Sequence, residues 1–218
     1  MPVKTHRAIC YVDGFNLFYG LRDAGLRNCY WLNVQKLAVS LLRADQRLAA
    51  TKYFTARIRG PRPNDVTDMA VEREAKRLRQ VAYLEALGTL HQFEIIEGLY
   101  REKDVKCPSC KIKSPHHEEK KTDVALASEL LADAFLDRFD IALVVSGDAD
   151  MVPAVEMVKR HFPHKWVTAV FPPGRIHDEL KTAAGGSKHI NKAMLVASQL
   201  PDSVFRHDGH ELRRPDCW

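Results

Sequence analysis

The chain has 218 residues, 45% of them hydrophobic, so a core can form and the length suits one sizeable α/β domain or two very small ones. Its formal net charge at pH 7 is +5 and its pI about 8.9, a mild basic excess that suits a polyanionic partner without demanding one. Five cysteines, an odd number, argue against a disulfide framework and for a reducing compartment. With no secretory apolar region near the start and no run of membrane-spanning length, the expectation is a cytoplasmic protein with no membrane partner.

In chain order, Arg7 to Val12 reads as a short buried strand that ends at Asp13-Gly14. Phe15 to Gly25 is predicted helical, and Val34 to Arg43 is a second helix with Asn33 as its N-cap. Thr51 to Ile58 is rich in strand-forming residues, and Gly60 to Asn64 breaks the chain. A long helix follows from about Asp65 to Leu87. Val71, Ala75, Leu78 and Ala82 are expected to form its apolar face, and Gly88 its stop. His91 to Ile96 is another strand. A polar, lysine-rich insert then runs from about residue 100 to 119. Thr122 to Asp137 is helical, Ile141 to Val145 is the most strand-like run, Asp150 to Arg160 is helical and Trp166 to Phe171 is a strand. Pro172-Pro173-Gly174 turns the chain, Asp178 to Ala184 is a short helix, and Gly185-Gly186 ends it. Residues 199–218 lack periodicity and are expected to be an irregular tail behind a domain spanning residues 1–198.

Strands that alternate with helices imply an α/β fold, a mostly parallel sheet with helices on both faces. Such sheets bind ligands at the carboxyl ends of their strands. Asp13 lies there after the first strand, and Asp148 and Asp150 lie there after Ile141 to Val145. Asp123 opens the helix carrying Ala127, Leu130 and Ala134, and its spacing predicts that it points toward the sheet. A carboxylate so placed needs a partner, and a divalent cation shared with Asp13 and Asp148 would supply one. Each acid also has an ordinary explanation: a turn for Asp13-Gly14, and the helix dipole for Asp123, Asp148 and Asp150. Hard oxygen ligands select Mg²⁺ or Mn²⁺ over zinc, and such ions serve phosphodiester hydrolysis. The sequence contains no P-loop, no dinucleotide loop and no recognisable Ser-His-Asp spacing.

Three segments resemble the motifs of the NYN domain, within the PIN-like nuclease group and its LabA-like branch. They are Tyr11-Val-Asp13-Gly-Phe-Asn16, Lys120-Lys-Thr-Asp123-Val-Ala-Leu-Ala, and Val145-Ser146-Gly-Asp148-Ala-Asp150-Met-Val-Pro153. The resemblance runs from about residue 7 to about 190. It implies a PIN-like fold, an acidic pocket for Mg²⁺ or Mn²⁺, and RNA as substrate. Asp13, Asp123, Asp148 and Asp150 would be the catalytic, metal-binding carboxylates. Asn16 and Ser146 would orient water or phosphate, and Lys120 would neutralise a phosphate. One departure is that Ala183-Ala184 is followed by Gly185-Gly186, where family members often carry an acid.

Within the insert, Cys107-Pro-Ser-Cys110 has the two-residue spacing of a zinc knuckle, with only His116 and His117 nearby to complete it. The alternative is a β-hairpin whose turn holds a cysteine pair. Lys103, Lys106, Lys111 and Lys113, with Arg57, Arg59 and Arg62, are candidates for a basic rim. Phe15, Trp31 and Tyr100 are candidates to stack on bases, or else core residues. The expected function is a Mg²⁺- or Mn²⁺-dependent ribonuclease acting on single-stranded RNA, and a homodimer is compatible with the sequence. The alternatives are an RNA-binding or regulatory module without catalysis, and a metal-dependent phosphomonoesterase. Against the last, Asp13 lacks a second aspartate two residues on.

Overall fold

A computed structural model describes residues 5–61, 67–106 and 113–218. Strand β1 (His6–Asp13) is buried on both faces. A central parallel strand has no solvent side, so its sequence is a continuous apolar run. Helices α1 (Gly14–Asp23) and α2 (Val34–Ser40) follow, then β2 (Gln46–Thr55), α3 (Asp68–Leu87) and β3 (Phe93–Glu97). Strands β4 (Leu99–Lys106) and β5 (Lys113–Lys120) of the insert pair antiparallel with each other. The second half comprises α4 (Thr122–Phe135), β6 (Ile141–Val145), α5 (Val152–His161), β7 (Trp166–Phe171), α6 (Asp178–Ala183), β8 (Gly186–His189) and α7 (Lys192–Ala197). A final pair, β9 (Ser203–Phe205) and β10 (Glu211–Arg213), follows it.

Six strands form one parallel sheet in the order β3-β2-β1-β6-β7-β8. Chain progression reverses direction between β1 and β6, the two central strands. The crevice at their carboxyl ends is the topological switch point, where this architecture places ligands. One apolar layer, including Val12, Leu37, Tyr53 and Leu84, packs under α1, α2 and the end of α3. The other, including Tyr11, Phe54, Leu130 and Val155, packs under α4, α5 and α6.

Three expectations need correction. The face predicted for α3 is not a buried stripe: Val71 is 66% exposed and Leu78 53%, while Ala75 and Ala82 are half-buried. This helix instead docks through its carboxyl end, where Leu84, Ala86 and Leu87 are buried. Gln80 pins its middle by accepting from the Ile58 amide (2.7 Å) and donating to the Ala56 carbonyl (3.0 Å). Second, Leu130 and Ala134 are buried as expected, but in the first turns of α4 the buried positions are Thr122 and Leu126, each one residue before the expected Asp123 and Ala127, so Asp123 is exposed. Third, the last twenty residues are not an irregular tail. They contain the β9–β10 hairpin, Leu200 and Leu212 are buried, and the Pro201 carbonyl accepts from Trp31 Nε1 at 2.7 Å. Trp31 is therefore a core residue.

The buried carboxylate of α4 is Asp133. It accepts from Tyr11 Oη (2.7 Å) and pairs with Lys52 Nζ (2.6 Å) and Arg138 Nη1 (3.0 Å). Burial opposes the charge on Lys52, but its bonds to Asp133 and Glu129 outweigh that and raise its pKa. No helix of the described residues is long and apolar enough to cross a membrane.

Candidate metal centre

The site grows from the turn that ends β1. Asp13 is buried, with 6% of its surface exposed, and both carboxylate oxygens are occupied. Oδ1 caps α1 by accepting from the Asn16 amide at 2.9 Å, and Oδ2 accepts from Ser146 Oγ at 3.1 Å. Asn16 reaches in the other direction, its Oδ1 accepting from the Gly147 amide at 3.0 Å. Ser146 Oγ in turn accepts from the Asp148 amide at 3.1 Å. These bonds tie the β1–α1 turn to the β6–α5 turn, so two segments more than 130 residues apart form one rigid wall.

Two glycines make that wall fit. A Cβ on Gly14 would lie 2.6 Å from the Tyr53 ring and 2.7 Å from the Phe54 carbonyl oxygen. A Cβ on Gly147 would lie 1.8 Å from the Arg175 carbonyl oxygen, so the turn after β7 crosses directly over this backbone. Neither contact has a sequence signal beyond the glycine itself.

Asp148 caps the single 3-10 turn that leads into α5, its Oδ1 accepting from the Asp150 amide at 2.9 Å. Asp123 comes from the first turn of α4. A carboxylate oxygen from each of Asp123, Asp148 and Asp150 can be chosen so that all lie within 4.8 Å of one another. This is the cluster with metal-ligand spacing among the described residues. Asp13 stands behind it: burial first, and then the charges of Asp123 and Asp148, push its carboxyl up to about 6, against the lowering effect of the Asn16 and Ser146 bonds. Partial burial and the charges of Asp148 and Asp150 raise Asp123 as well. Three carboxylates this close repel one another, and a hard divalent cation with oxygen ligands is the partner that this donor set fits.

The sequence had grouped Asp13, Asp123 and Asp148, with Asp150 as a fourth. The structure groups Asp123, Asp148 and Asp150, with Asp13, Asn16 and Ser146 bonded together at their back. Cys107, Cys110, Arg62 and Lys111 lie outside the described residues, as do the side chains of Tyr100, Lys103, Lys106, Lys113, His116, His117 and Lys120. The backbone of Lys120 ends β5, two residues before α4. Of the proposed basic rim, Arg57 is paired with Glu97 at 2.7 Å and Arg59 is exposed.

Comparison with known proteins agrees with this architecture. The NYN domain model matches residues 7–191. The chain is 30% identical to 6-hydroxy-3-succinoylpyridine 3-monooxygenase HspA of Pseudomonas putida, over 92% of this chain and 71% of that protein. Its fold resembles the crystal structure of a protein of unknown function from Vibrio parahaemolyticus, with a TM-score of 0.53 and 19% identity. That match covers 88% of this chain and 97% of the other, and it concerns the fold alone.

Proposed function

From the premise that this chain belongs to the NYN domain family, we propose that it is a Mg²⁺- or Mn²⁺-dependent ribonuclease. The observation that carries the reading is the convergence of Asp123, Asp148 and Asp150 at the carboxyl end of β6, backed by buried Asp13. Asp123, Asp148 and Asp150 would hold the ion. When bound, it supplies water activation and stabilisation of the leaving oxygen. Asp13 fixes Ser146, and Ser146 fixes the Asp148 backbone, so the carboxylates are held in place before substrate arrives. Asn16 holds the Gly147 amide and keeps the two turns in register. Lys120, at the approach to α4, is suited by charge to a phosphate. Water attack in line on phosphorus leaves a 5′-phosphate and a 3′-hydroxyl.

Incubation with single-stranded RNA, with and without Mn²⁺, tests the reading. Cleavage is expected only with the metal, and Asp148→Asn is expected to abolish it. A 2′,3′-cyclic phosphate product would refute the hydrolytic route, because that product requires attack by the ribose hydroxyl.

A second reading comes from the Pseudomonas putida relative, whose name describes hydroxylation of a pyridine carrying an acidic side chain. An aromatic-lined cleft of about 420 Å³ beside Gly14 is large enough for such a ring. Transfer of one oxygen atom of dioxygen to a hydroxypyridine acid, with an added two-electron reductant taking the other to water, undiminished in Asp148→Asn, would favour it over the ribonuclease.

A further inference from the structure

The cleft beside Gly14 lies on the face of the sheet opposite α4. It is reached from the same carboxyl-end rim as the acidic cluster, because Gly14 and Phe15 in its wall directly follow Asp13. Thr55, also in the wall, is one residue beyond Phe54, the partner of Asp13 in the β1–β2 register. Its volume of about 420 Å³ falls in the range of about 300–1,000 Å³ typical of small-ligand sites.

Its lining has two features that a plain packing gap does not require. The first is an unbroken relay of aromatic rings around the wall. Tyr19 touches Phe18 (5.6 Å between centroids) and Phe18 touches Tyr30 (5.0 Å). Tyr30 touches Trp218 (5.8 Å), which touches Tyr83 (6.0 Å), which touches Tyr53 (6.4 Å). The second is charge of one sign. Arg22, Arg27, Lys76 and Arg79 line the cleft, and among the described residues no Asp or Glu side chain does. Arg22 and Lys76 are paired with Asp23 and Glu72, whereas Arg27 and Arg79 form no ion pair among the described residues. Flat rings beside guanidinium groups that have no close ion pair recognise a flat heteroaromatic ring joined to an anion.

We propose that this cleft binds one nucleobase of the RNA, with Arg27 and Arg79 on the adjoining phosphates, while the neighbouring scissile bond lies at the acidic cluster. This rests on the ribonuclease reading for its choice of ligand. The base stacks against exposed Phe18 and against the edge and face of Tyr19 that the Arg22 guanidinium, 4.5 Å from its ring centroid, leaves uncovered, and the phosphate chain passes over the β1–α1 turn toward Asp148.

The test separates binding from cleavage by using the full chain with Asp148→Asn in EDTA, and by comparing AMP with ribose 5-phosphate in calorimetric titrations. The two ligands differ only in the base. Tighter binding of AMP, by about 5- to 150-fold, is expected from one stacked base. Tyr19→Ala should remove most of that difference. Arg27→Ala, at an exposed position whose loss leaves the core intact, should weaken both ligands by a similar factor. Equal affinity for AMP and ribose 5-phosphate overturns the proposal, as does an undiminished difference in Tyr19→Ala. Benzoate binding more tightly than AMP also overturns it, by assigning the cleft to free aromatic acids. The outcomes stay distinguishable from those of the cleavage assay. Base-dependent AMP binding without RNA cleavage keeps the cleft and removes the ribonuclease, and metal-dependent cleavage with no base dependence does the reverse.

Discussion

Single residues carry unequal weight, and burial decides which ones matter. Lys52 and Asp133 sit between the sheet and α4, each nearly without exposed surface, and are joined at 2.6 Å. Lys52→Met leaves Asp133 with Tyr11 and Arg138 but without its buried cation, and should cost about 3–5 kcal/mol in urea unfolding. Adding Asp133→Leu should recover a large part of that loss, because the stranded charge goes as well; no recovery would mean that Lys52 acts through packing instead. Arg7 offers a pH-dependent contrast. Its hydrogen bonds hold the Asp140 carboxyl down at about 2, so the pair stabilises the fold above the ordinary carboxylate range and loses that effect as pH falls toward 2. Both side chains are partly exposed, which screens the interaction. Arg7→Met should therefore cost roughly 1–2 kcal/mol at pH 7, and the gap to the unaltered protein should close between pH 4 and pH 2. A gap independent of pH would remove the ion pair as its cause.

At the scale of elements, the site is a meeting of turns, and Gly147 is where they are closest. Its missing side chain lets the turn after β7 lie against the backbone between Ser146 and Asp148. Gly147→Ala forces one of the two to move, and the move breaks the Asn16–Gly147 bond. Overpacking of this kind costs about 1–3 kcal/mol, and Mn²⁺ affinity should fall at least about tenfold, the equivalent of 1.4 kcal/mol. Gly174→Ala is the control. Its φ of +68° makes any side chain strained, but nothing lies within 4 Å of the new Cβ, so stability should drop by about 1–2 kcal/mol with metal affinity retained. Equal metal affinity in both variants would show that the β6–α5 turn does not position the cluster. The elements differ in how far sequence revealed them. The strand before Asp13, the Asn33 cap of α2 and the run Ile141 to Val145 are local signals and were legible. The face of α3 was not, because tertiary contacts through Gln80, Tyr83 and Leu84 orient the helix against its own periodic pattern. On α4 the carboxyl-terminal half of the pattern, Leu130 and Ala134, was legible, but its first turns admitted either Thr122 and Leu126 or Asp123 and Ala127 as the buried pair. Asp133, an acid seven residues after Leu126 and three after Leu130, was the available sign that the buried stripe contained a charge. Asp150 was legible as an acid near the site, but its closeness to Asp123 depends on how α4 meets the β6 turn, and no local pattern encodes that.

For the whole molecule, a basic chain places Asp13, Asp123, Asp148 and Asp150 together at one rim, and folding without a cation works against that grouping. Asp13 is the most sensitive marker. Its folded-state pKa of about 6 lies above the ordinary value of 3.8, so its protonated form suits the fold. The stability associated with that proton is present at low pH and is lost as pH rises through about 6. Repulsion among Asp123, Asp148 and Asp150 adds to the strain at neutral pH. In EDTA at pH 7.5, Asp148→Asn should therefore unfold at a higher temperature than the unaltered protein, although it is predicted to be inactive. Mn²⁺ should reverse the order. At about one hundred times its dissociation constant, a ligand of the folded state adds about 2.7 kcal/mol, and the unaltered protein should gain this while Asp148→Asn gains little. At pH 5, below the value of about 6 for Asp13, that group retains its proton, and both the penalty in EDTA and the gain with Mn²⁺ should shrink. Thermal melts of the two proteins at pH 5 and 7.5, each with and without Mn²⁺, provide the check. If Mn²⁺ stabilises Asp148→Asn as strongly as the unaltered chain at pH 7.5, the ion binds elsewhere and the three carboxylates are only a negatively charged surface.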